Sequence, residues 1–161
     1  MNKIADIEDA IRLATEARKR KEKIVLVGGC FDILHIGHIK FLEKAKESGE
    51  KLYILLESDK NVRKLKGFRR PIFNQQDRAE ALSSLKDVDL IINLPYLTMD
   101  REYEKLIEEI KPDIIAVTEN DPILSKKNRQ AEKTGARLKI IPFVKSLSSS
   151  KLAEILGREN I

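Results

Sequence analysis

The chain has 161 residues, 42% of them hydrophobic, which predicts one domain over 1–161 with an apolar core. A single cysteine excludes an intrachain disulfide framework, and no apolar run approaches the roughly 18 residues of a membrane span. A cytoplasmic protein without a membrane partner is therefore expected. The net charge of +5 favours anionic partners, whereas 5% aromatic residues are too few for a typical nucleic-acid-binding surface.

Apolar runs alternate with amphipathic segments along the whole chain. Asp6 and Asn74 are placed to cap helices, and Gly49 and Gly135 to end them. In chain order the pattern predicts a leader helix at about 6–21, a strand at 24–28, a helix to about 48, a strand at 51–56, a basic loop at 60–70, a helix at 74–85, a strand at 88–92, a helix at about 100–111, a strand at 113–117, a helix at about 122–134, a strand at 138–141 and a last helix from 148 or 149 to 156.

Strands that alternate with helices predict an α/β, Rossmann-like fold: a five-stranded parallel sheet with helices on both faces. Ligands of such sheets bind beyond the carboxyl ends of the strands, where the strand order switches. The loops after the first, second and fourth predicted strands, together with the Ser148–Ser150 turn, are expected to converge there.

Residues 28–38 between the first strand and the next helix read Gly-Gly-Cys-Phe-Asp-Ile-Leu-His-Ile-Gly-His. A helix N-terminus presents unpaired backbone N–H groups and the positive end of its dipole, which favours phosphate. Gly37 allows a ligand to approach the backbone, and His35 and His38 are spaced to face one anion. The segment therefore predicts a phosphate site with two imidazoles.

Two other interpretations of this segment compete with a phosphate site. Histidines near a strand end are often structural, although these are the only two in the chain. A zinc site would need a third ligand, such as Asp32 or Cys30, and no clustered cysteine pair is present. Cys30 could serve as a nucleophile, but no residue to orient it is evident, and packing beside the loop is favoured.

Further segments match the sequence pattern of one known family: Ser58-Asp59, Leu65-Lys66-Gly67 with Arg70-Pro71, Arg78 at the start of a helix, and Ser148–Leu152. Together with residues 29–38, they make the chain resemble the H-x-G-H nucleotidyltransferases of the cytidylyltransferase-like superfamily. Within it the resemblance is greatest to the adenylyltransferase domain of bacterial ADP-heptose synthesis, and next to glycerol-3-phosphate cytidylyltransferase.

The resemblance implies transfer of a nucleoside monophosphate from an NTP, with ATP favoured, to a small phosphate monoester such as a sugar 1-phosphate. Pyrophosphate is released, Mg²⁺ accompanies the NTP, and a homodimer is implied. CTP with glycerol 3-phosphate, adenylyl transfer to FMN, and a non-catalytic, regulatory nucleotide-binding module are the alternatives. Class I aminoacyl-tRNA synthetases also use a His-Ile-Gly-His sequence, but they need further domains that 161 residues cannot hold.

The resemblance also implies residue roles. The expected catalytic residues are His35, His38, Lys66 and Arg78. The expected nucleotide-binding residues are Gly29, Cys30, Phe31, Asp32, Gly37, Thr118, Asp121, Ser148, Ser149 and Ser150, and Asp32 is also considered as a Mg²⁺ ligand. Each role has a structural alternative. Lys66 could lie in an ordinary solvated loop, Arg78 could form a surface ion pair on its helix, and the serines could only cap a helix.

Two segments depart from the family pattern. Residues 118–121, Thr-Glu-Asn-Asp, replace a glycine-containing turn, and residues 145–147, Lys-Ser-Leu, stand where a glycine is usual. Both lie near the expected base and ribose rather than the phosphates. The choice of base and of acceptor therefore stays open at this stage.

Overall fold

In the computed structural model, residues 2–158 are described, and six strands and seven helices are found within them. Their bounds are β1 (Ile4–Ala5), α1 (Ile7–Lys19), β2 (Ile24–Gly29), α2 (Ile36–Lys46), β3 (Lys51–Leu56), α3 (Asp59–Lys66), α4 (Gln75–Ser83), β4 (Leu90–Asn93), α5 (Asp100–Ile110), β5 (Ile114–Thr118), α6 (Leu124–Thr134), β6 (Arg137–Ile141) and α7 (Ser149–Arg158). None of these helices is long and apolar enough to cross a membrane.

The strands form one parallel sheet in the order β1-β4-β3-β2-β5-β6. The expected parallel α/β sheet is confirmed, with six strands instead of five. The additional strand, β1, has only two residues, Ile4 and Ala5, which pair with Ile91 and Ile92. A pair of residues is too short to show strand periodicity, so only its pairing with β4 identifies it.

Both faces of the sheet are covered by helices, as expected. On β2, Ile24 and Leu26 face a core cluster shared with α1, α5 and α6, whereas Val25 and Val27 face a second cluster shared with α2 and α4. All four side chains are at most 1% exposed. Because β2 is buried on both faces and lies at the centre of the sheet, the loop that follows it has a rigid base.

Local capping signals identified several element ends correctly. The side chains of Asp6 and Asn74 accept hydrogen bonds from the backbone N–H groups of Asp9 and Asp77. Gly135 ends α6 in the left-handed conformation, with φ of 74°. The expected basic loop at 60–70 is wrong in its first half, because Asp59–Lys66 form α3. Only Asn61 and Val62 of α3 are buried, and charged residues surround them, so the sequence shows no apolar helical pattern there.

Gly49 follows α2, but it does not adopt the left-handed conformation expected of a helix-ending glycine. A Cβ built at Gly49 would lie 2.8 Å from Cγ2 of Val25 and 2.9 Å from the carbonyl oxygen of Lys23. The glycine is therefore required because the chain passes close to the start of β2.

Replacing Gly49 with alanine is expected to lower the free energy of unfolding by about 1–3 kcal/mol, the usual cost of overpacking a close contact. Gly157→Ala is the control, because a Cβ at that position of α7 meets nothing within 4 Å, and it is expected to keep or raise the stability, by up to about 1 kcal/mol. Urea denaturation compares each variant with the wild type. A Gly49→Ala variant as stable as the wild type would contradict the crowding argument.

Candidate active site

The loops that follow β2, β3 and β5 meet at the carboxyl edge of the sheet, on either side of the switch in strand order. They enclose a crevice of about 380 Å³ whose lining includes Gly29, His38, Lys66, Asp121, Lys127 and Ser149. An adjoining hollow of about 170 Å³ adds Thr118 and Phe41. The crevice expected from the sheet topology is therefore present, and most of the expected nucleotide-contacting loops reach it.

Two histidines form a reciprocal cap at the start of α2. His35 is the N-cap residue, and its Nδ1 accepts a hydrogen bond from the backbone N–H of Gly37 at 3.1 Å. The Nδ1 of His38 accepts from the backbone N–H of His35 at 3.3 Å. The two ring centroids lie 3.9 Å apart. The backbone thus holds both rings side by side at the helix N-terminus.

These hydrogen bonds determine which nitrogen carries the proton. A neutral imidazole that accepts at Nδ1 must donate from Nε2. Burial lowers the pKa of His38 to about 4, and the nearby charges of His35 and Lys66 act in the same direction. Burial also lowers the pKa of His35. Both rings are therefore neutral Nε2–H donors at neutral pH, rather than imidazoles poised to titrate there.

The glycines of the motif make room for neighbouring side chains. A Cβ at Gly37 would lie 2.5 Å from Oγ of Ser146 and 2.8 Å from Cε1 of His35. A Cβ at Gly29 would lie 2.9 Å from the ring of Phe31. Phe31 in turn packs against His38, with 5.3 Å between ring centroids. Because neither glycine has a Cβ, the side chains of Ser146, His35 and Phe31 can pack close to the backbone of the motif.

Asp32 is buried, with 1% of its surface exposed, and its carboxylate is fully engaged. Its oxygens accept from Nε of Arg70 at 2.7 Å and from the backbone N–H groups of Ile72 and Phe73 at 2.8 and 3.0 Å. Burial alone would raise the pKa of Asp32, but these hydrogen bonds lower it. In this structure the carboxylate of Asp32 holds the loop after β2 to residues 70–73.

Arg78 is also buried, with 2% exposed, and it does not face the crevice as a free cation. Its guanidinium donates to the carbonyl oxygens of Cys30, Glu57 and Phe73 and to the carboxylate of Asp59, at 2.6–3.0 Å. In this structure the guanidinium is thus occupied by protein groups. Arg78 joins the loop after β2, the loop after β3 and the turn before α4.

The remaining expected residues divide between structural contacts and the crevice wall. Ser148 caps α7 by accepting from the backbone N–H of Lys151 at 3.1 Å. Ser149 and Ser150 accept from Arg70 at 3.3 and 3.4 Å, and Ser149 also lines the crevice. Burial raises the pKa of the Cys30 thiol, which therefore stays protonated and is a poor nucleophile.

Lys66 and Lys127 are the cations at the crevice wall. Lys66 lies at the exposed end of α3. Lys127 of α6 lines both hollows and, within residues 2–158, forms no ion pair. Its neighbours on α6 differ, because Lys126 pairs with Asp100 and Arg129 with Glu104.

Burial lowers the pKa of Lys127 despite the nearby carboxylates of Asp121 and Glu57, so an additional anion would stabilise its charged form. The sequence left open whether the segment that carries Lys127 lines an acceptor pocket or faces solvent. The helical spacing of Lys127 from the core-facing residues Leu124 and Ala131 is the signal that would have decided this.

No group of three or more His, Cys, Asp or Glu side chains in the part of the chain that the structure describes is arranged to hold a metal ion. Asp121 accepts from the backbone N–H of Ile123 at 2.8 Å and shapes the turn after β5. The site thus combines two neutral imidazoles at a helix N-terminus, of which His38 lines the crevice, with two lysines. This combination suits a polyanion such as a triphosphate.

Comparison with known proteins identifies a family match over most of the chain. A family model described as "Cytidylyltransferase-like" matches residues 26–154. The bifunctional protein HldE of Koribacter versatilis is 35% identical over 94% of this chain and 31% of its own length. HldE of Nitratiruptor sp. is 46% identical over 70% of this chain and 23% of its own length. The chain thus spans about a quarter to a third of these relatives.

Solved structures share the fold. A lipopolysaccharide core biosynthesis protein from Thermoplasma volcanium superposes with a TM-score of 0.62 and 31% identity, over 78% of this chain and 98% of its own. A pantoate-beta-alanine ligase from Francisella tularensis superposes with a TM-score of 0.64 over 94% of this chain and 72% of its own. At 18% identity, the second likeness concerns the fold alone.

The structural role of Asp32 can be tested without any metal. Asp32→Ala is expected to lower the free energy of unfolding by about 3–5 kcal/mol in Mg²⁺-free buffer, because it leaves buried Arg70 without its counterion. Asp100→Ala, which breaks the exposed pair with Lys126, is the control and is expected to cost at most about 1 kcal/mol. Unchanged stability of Asp32→Ala in the absence of Mg²⁺ would contradict this role.

The low pKa of His38 predicts a pH dependence of stability. Below the ordinary pKa of 6.5 the unfolded chain gains a proton at His38, whereas the folded protein does not until about pH 4. The stability of the wild type is therefore expected to fall more steeply than that of His38→Asn as the pH drops from 6.5 to 4. Urea denaturation in matched buffers measures both slopes, and parallel slopes would count against the buried neutral imidazole.

Proposed function

Because this chain belongs to the cytidylyltransferase-like family, whose members are nucleotidyltransferases, we propose that it transfers AMP from ATP to a small phosphate monoester, with release of pyrophosphate. A sugar 1-phosphate is the proposed acceptor class. The resemblance to the adenylyltransferase domain of ADP-heptose synthesis favours both choices. Identity of 31% to a lipopolysaccharide core biosynthesis protein supports a sugar substrate.

The observation that carries this proposal is the pair of neutral imidazoles at the N-terminus of α2. Because each Nδ1 already accepts a backbone hydrogen bond, each Nε2–H is available as a donor of fixed orientation. Donors held in place before the reaction need no reorganisation as charge develops on the transferring phosphate. A helix N-terminus adds a favourable potential for the same anion.

The proposed reaction needs no enzyme nucleophile. An oxygen of the acceptor phosphate attacks the α-phosphorus of the NTP, and the bond to the β-phosphate oxygen breaks, so that pyrophosphate leaves. A phosphate monoester has lost most of its second proton at neutral pH, since that pKa is about 6. The protein therefore contributes mainly positioning and charge stabilisation. His35, His38, Lys66 and Lys127 are the residues proposed to contact the phosphates.

Magnesium is proposed to enter with the NTP, bound by its phosphates and by water, because Mg²⁺ typically uses few protein ligands. It would withdraw charge from the transferring phosphate. Asp32, Arg70 and Arg78 are proposed to act through the loops that they hold. A homodimer and a cytoplasmic location are proposed from the family resemblance alone.

Other acceptors and nucleotides are distinguished by one assay of pyrophosphate release. CTP with glycerol 3-phosphate is the main alternative, and FMN with ATP is another. The replacement of a glycine-containing turn by Thr118–Asp121 favours a further candidate, a nucleotide-binding module without turnover. Nucleotide binding by calorimetry without pyrophosphate from any acceptor would support that module instead.

The role of His38 is tested by His38→Asn, whose amide oxygen can replace Nδ1 as the acceptor for the backbone of His35 but cannot replace the Nε2–H donor. Turnover is expected to fall about 10²–10³-fold, as when other preorganised donors are removed. Pyrophosphate release with Mg²⁺, ATP or CTP, and each acceptor class measures the effect.

His38→Gln is the matched control for His38→Asn, because its longer amide can place a donor near the Nε2 position. It is expected to keep more activity than His38→Asn. Thermal melting with and without nucleotide verifies that both variants are folded. Full activity of His38→Asn, or a wild-type protein that neither ATP nor CTP stabilises, would contradict the proposed function.

A further inference from the structure

Helix α7 presents an apolar side that the described part of the chain leaves largely uncovered. The helix has ten residues, all of them described, and none of them is buried. Leu152, Ile155 and Leu156 lie on one side of it, at the i, i+3 and i+4 spacing of an amphipathic helix. Isolated helices of this length are only marginally stable in water, because packing of the apolar side stabilises most helices in proteins. This side of α7 therefore needs a partner.

Exposed apolar side chains of neighbouring segments extend the apolar side of α7. A hollow of about 700 Å³ lies between α7 and the connector from α3 to α4, and its lining includes Ala153, Leu156 and Ile72. At the other end, Ser146 lies against Gly37, which brings the next residue, Leu147, near the start of α2. We call the surface formed by six exposed side chains the α7 face: Ile36, Ile72, Phe73, Leu147, Ile155 and Leu156.

The α7 face is large enough for a stable interface between two proteins. Its six side chains are 36–54% exposed, which amounts to roughly 500 Å² of apolar surface if a large side chain has about 150–200 Å². A standard interface buries about 800 Å² on each partner, and about 65% of that area is apolar in homodimers, so it needs roughly the same apolar area. Exposed apolar patches of this size are often interaction sites.

The charges around the α7 face suit a second copy of this chain better than a strongly charged partner. Lys151 and Arg158 both pair with Glu154 on α7 itself. Lys66 and Arg69 also border the hollow, but both are exposed, and charges at the rim of an interface stay solvated. Two identical faces can therefore meet without burying unpaired charges of the same sign.

We propose that the α7 face joins two copies of this chain across a twofold axis, so that α7 of each copy packs against the same face of the other. In a twofold interface one surface patch meets itself, which suits an apolar face flanked by charges that are already paired. The inference goes beyond the proposed nucleotidyl transfer. The family resemblance implies a homodimer but does not say which surface forms it.

Such a dimer would support the phosphate crevice from outside. Ser149 is the first residue of α7, accepts a hydrogen bond from Arg70 and lines the crevice. Lys66 lines both the crevice and the hollow. Burial of α7 against a second copy would therefore fix the serine turn beside the crevice.

Leu156→Glu tests the proposal, because it places a carboxylate in the α7 face. Sedimentation velocity of the full chain over a range of micromolar concentrations compares the variant with the wild type, which is expected to be a dimer. The dissociation constant of the dimer is expected to rise at least about 100-fold in Leu156→Glu, since a twofold axis buries the added carboxylate twice without a partner. Leu147→Glu, at the other end of the α7 face, is expected to weaken the dimer as well.

Met99→Glu is the matched control for Leu156→Glu. Met99 is 61% exposed and precedes α5, so it lies outside the α7 face. The same change of an exposed apolar side chain to a carboxylate is expected to leave the dimer intact there. Circular dichroism verifies that each variant is folded.

Three outcomes would overturn the inference. A wild type that stays monomeric at every concentration would show that the α7 face does not bind a second copy. A dimer that persists in Leu156→Glu would place the interface on another surface. A monomer in which ATP protects α7 from proteolysis would show that the helix packs against its own chain instead.

Discussion

A buried guanidinium holds together the loops on which the site is built. Arg78 binds the backbone carbonyls of Cys30 and Glu57, which directly follow β2 and β3, and so links the ends of two neighbouring strands. Its side chain is 1% exposed, which makes its removal costly because the carbonyls would lose their partner. The pair of Arg70 and Asp32 acts similarly between the loop after β2 and the serine turn. Buried charged groups therefore set the positions of the loops around the crevice.

The histidines depend on this support. Their rings are held by backbone N–H groups of the same loop, and burial keeps both uncharged. A neutral imidazole donates a directed hydrogen bond without repelling the lysines nearby. Positive charge is instead supplied by Lys66 and Lys127, which line the crevice. Hydrogen-bond donors of fixed orientation and positive charge thus come from different residues of the crevice.

Helix α6 carries two polar groups that the described residues leave incompletely satisfied. Lys127 lacks an ion pair within residues 2–158, and Oε1 of Gln130 lacks a hydrogen bond there. Both lie on α6, three residues apart and therefore on one face of the helix. Unpaired polar groups of this kind reduce the stability of the folded protein.

Features that depend on residues close together in sequence were predicted from the sequence. These include the alternation of strands and helices, the caps at Asp6 and Asn74, and the histidine motif at a helix start, because backbone geometry and nearby side chains determine them. Only the tertiary structure decided that Asp32 and Arg78 are buried supports and that Lys127 faces the crevice. The strand β1 and the short helix α3 also required it. Their partners lie far along the chain, and burial by those partners, rather than residue type, determines whether a charge builds the fold or meets a ligand.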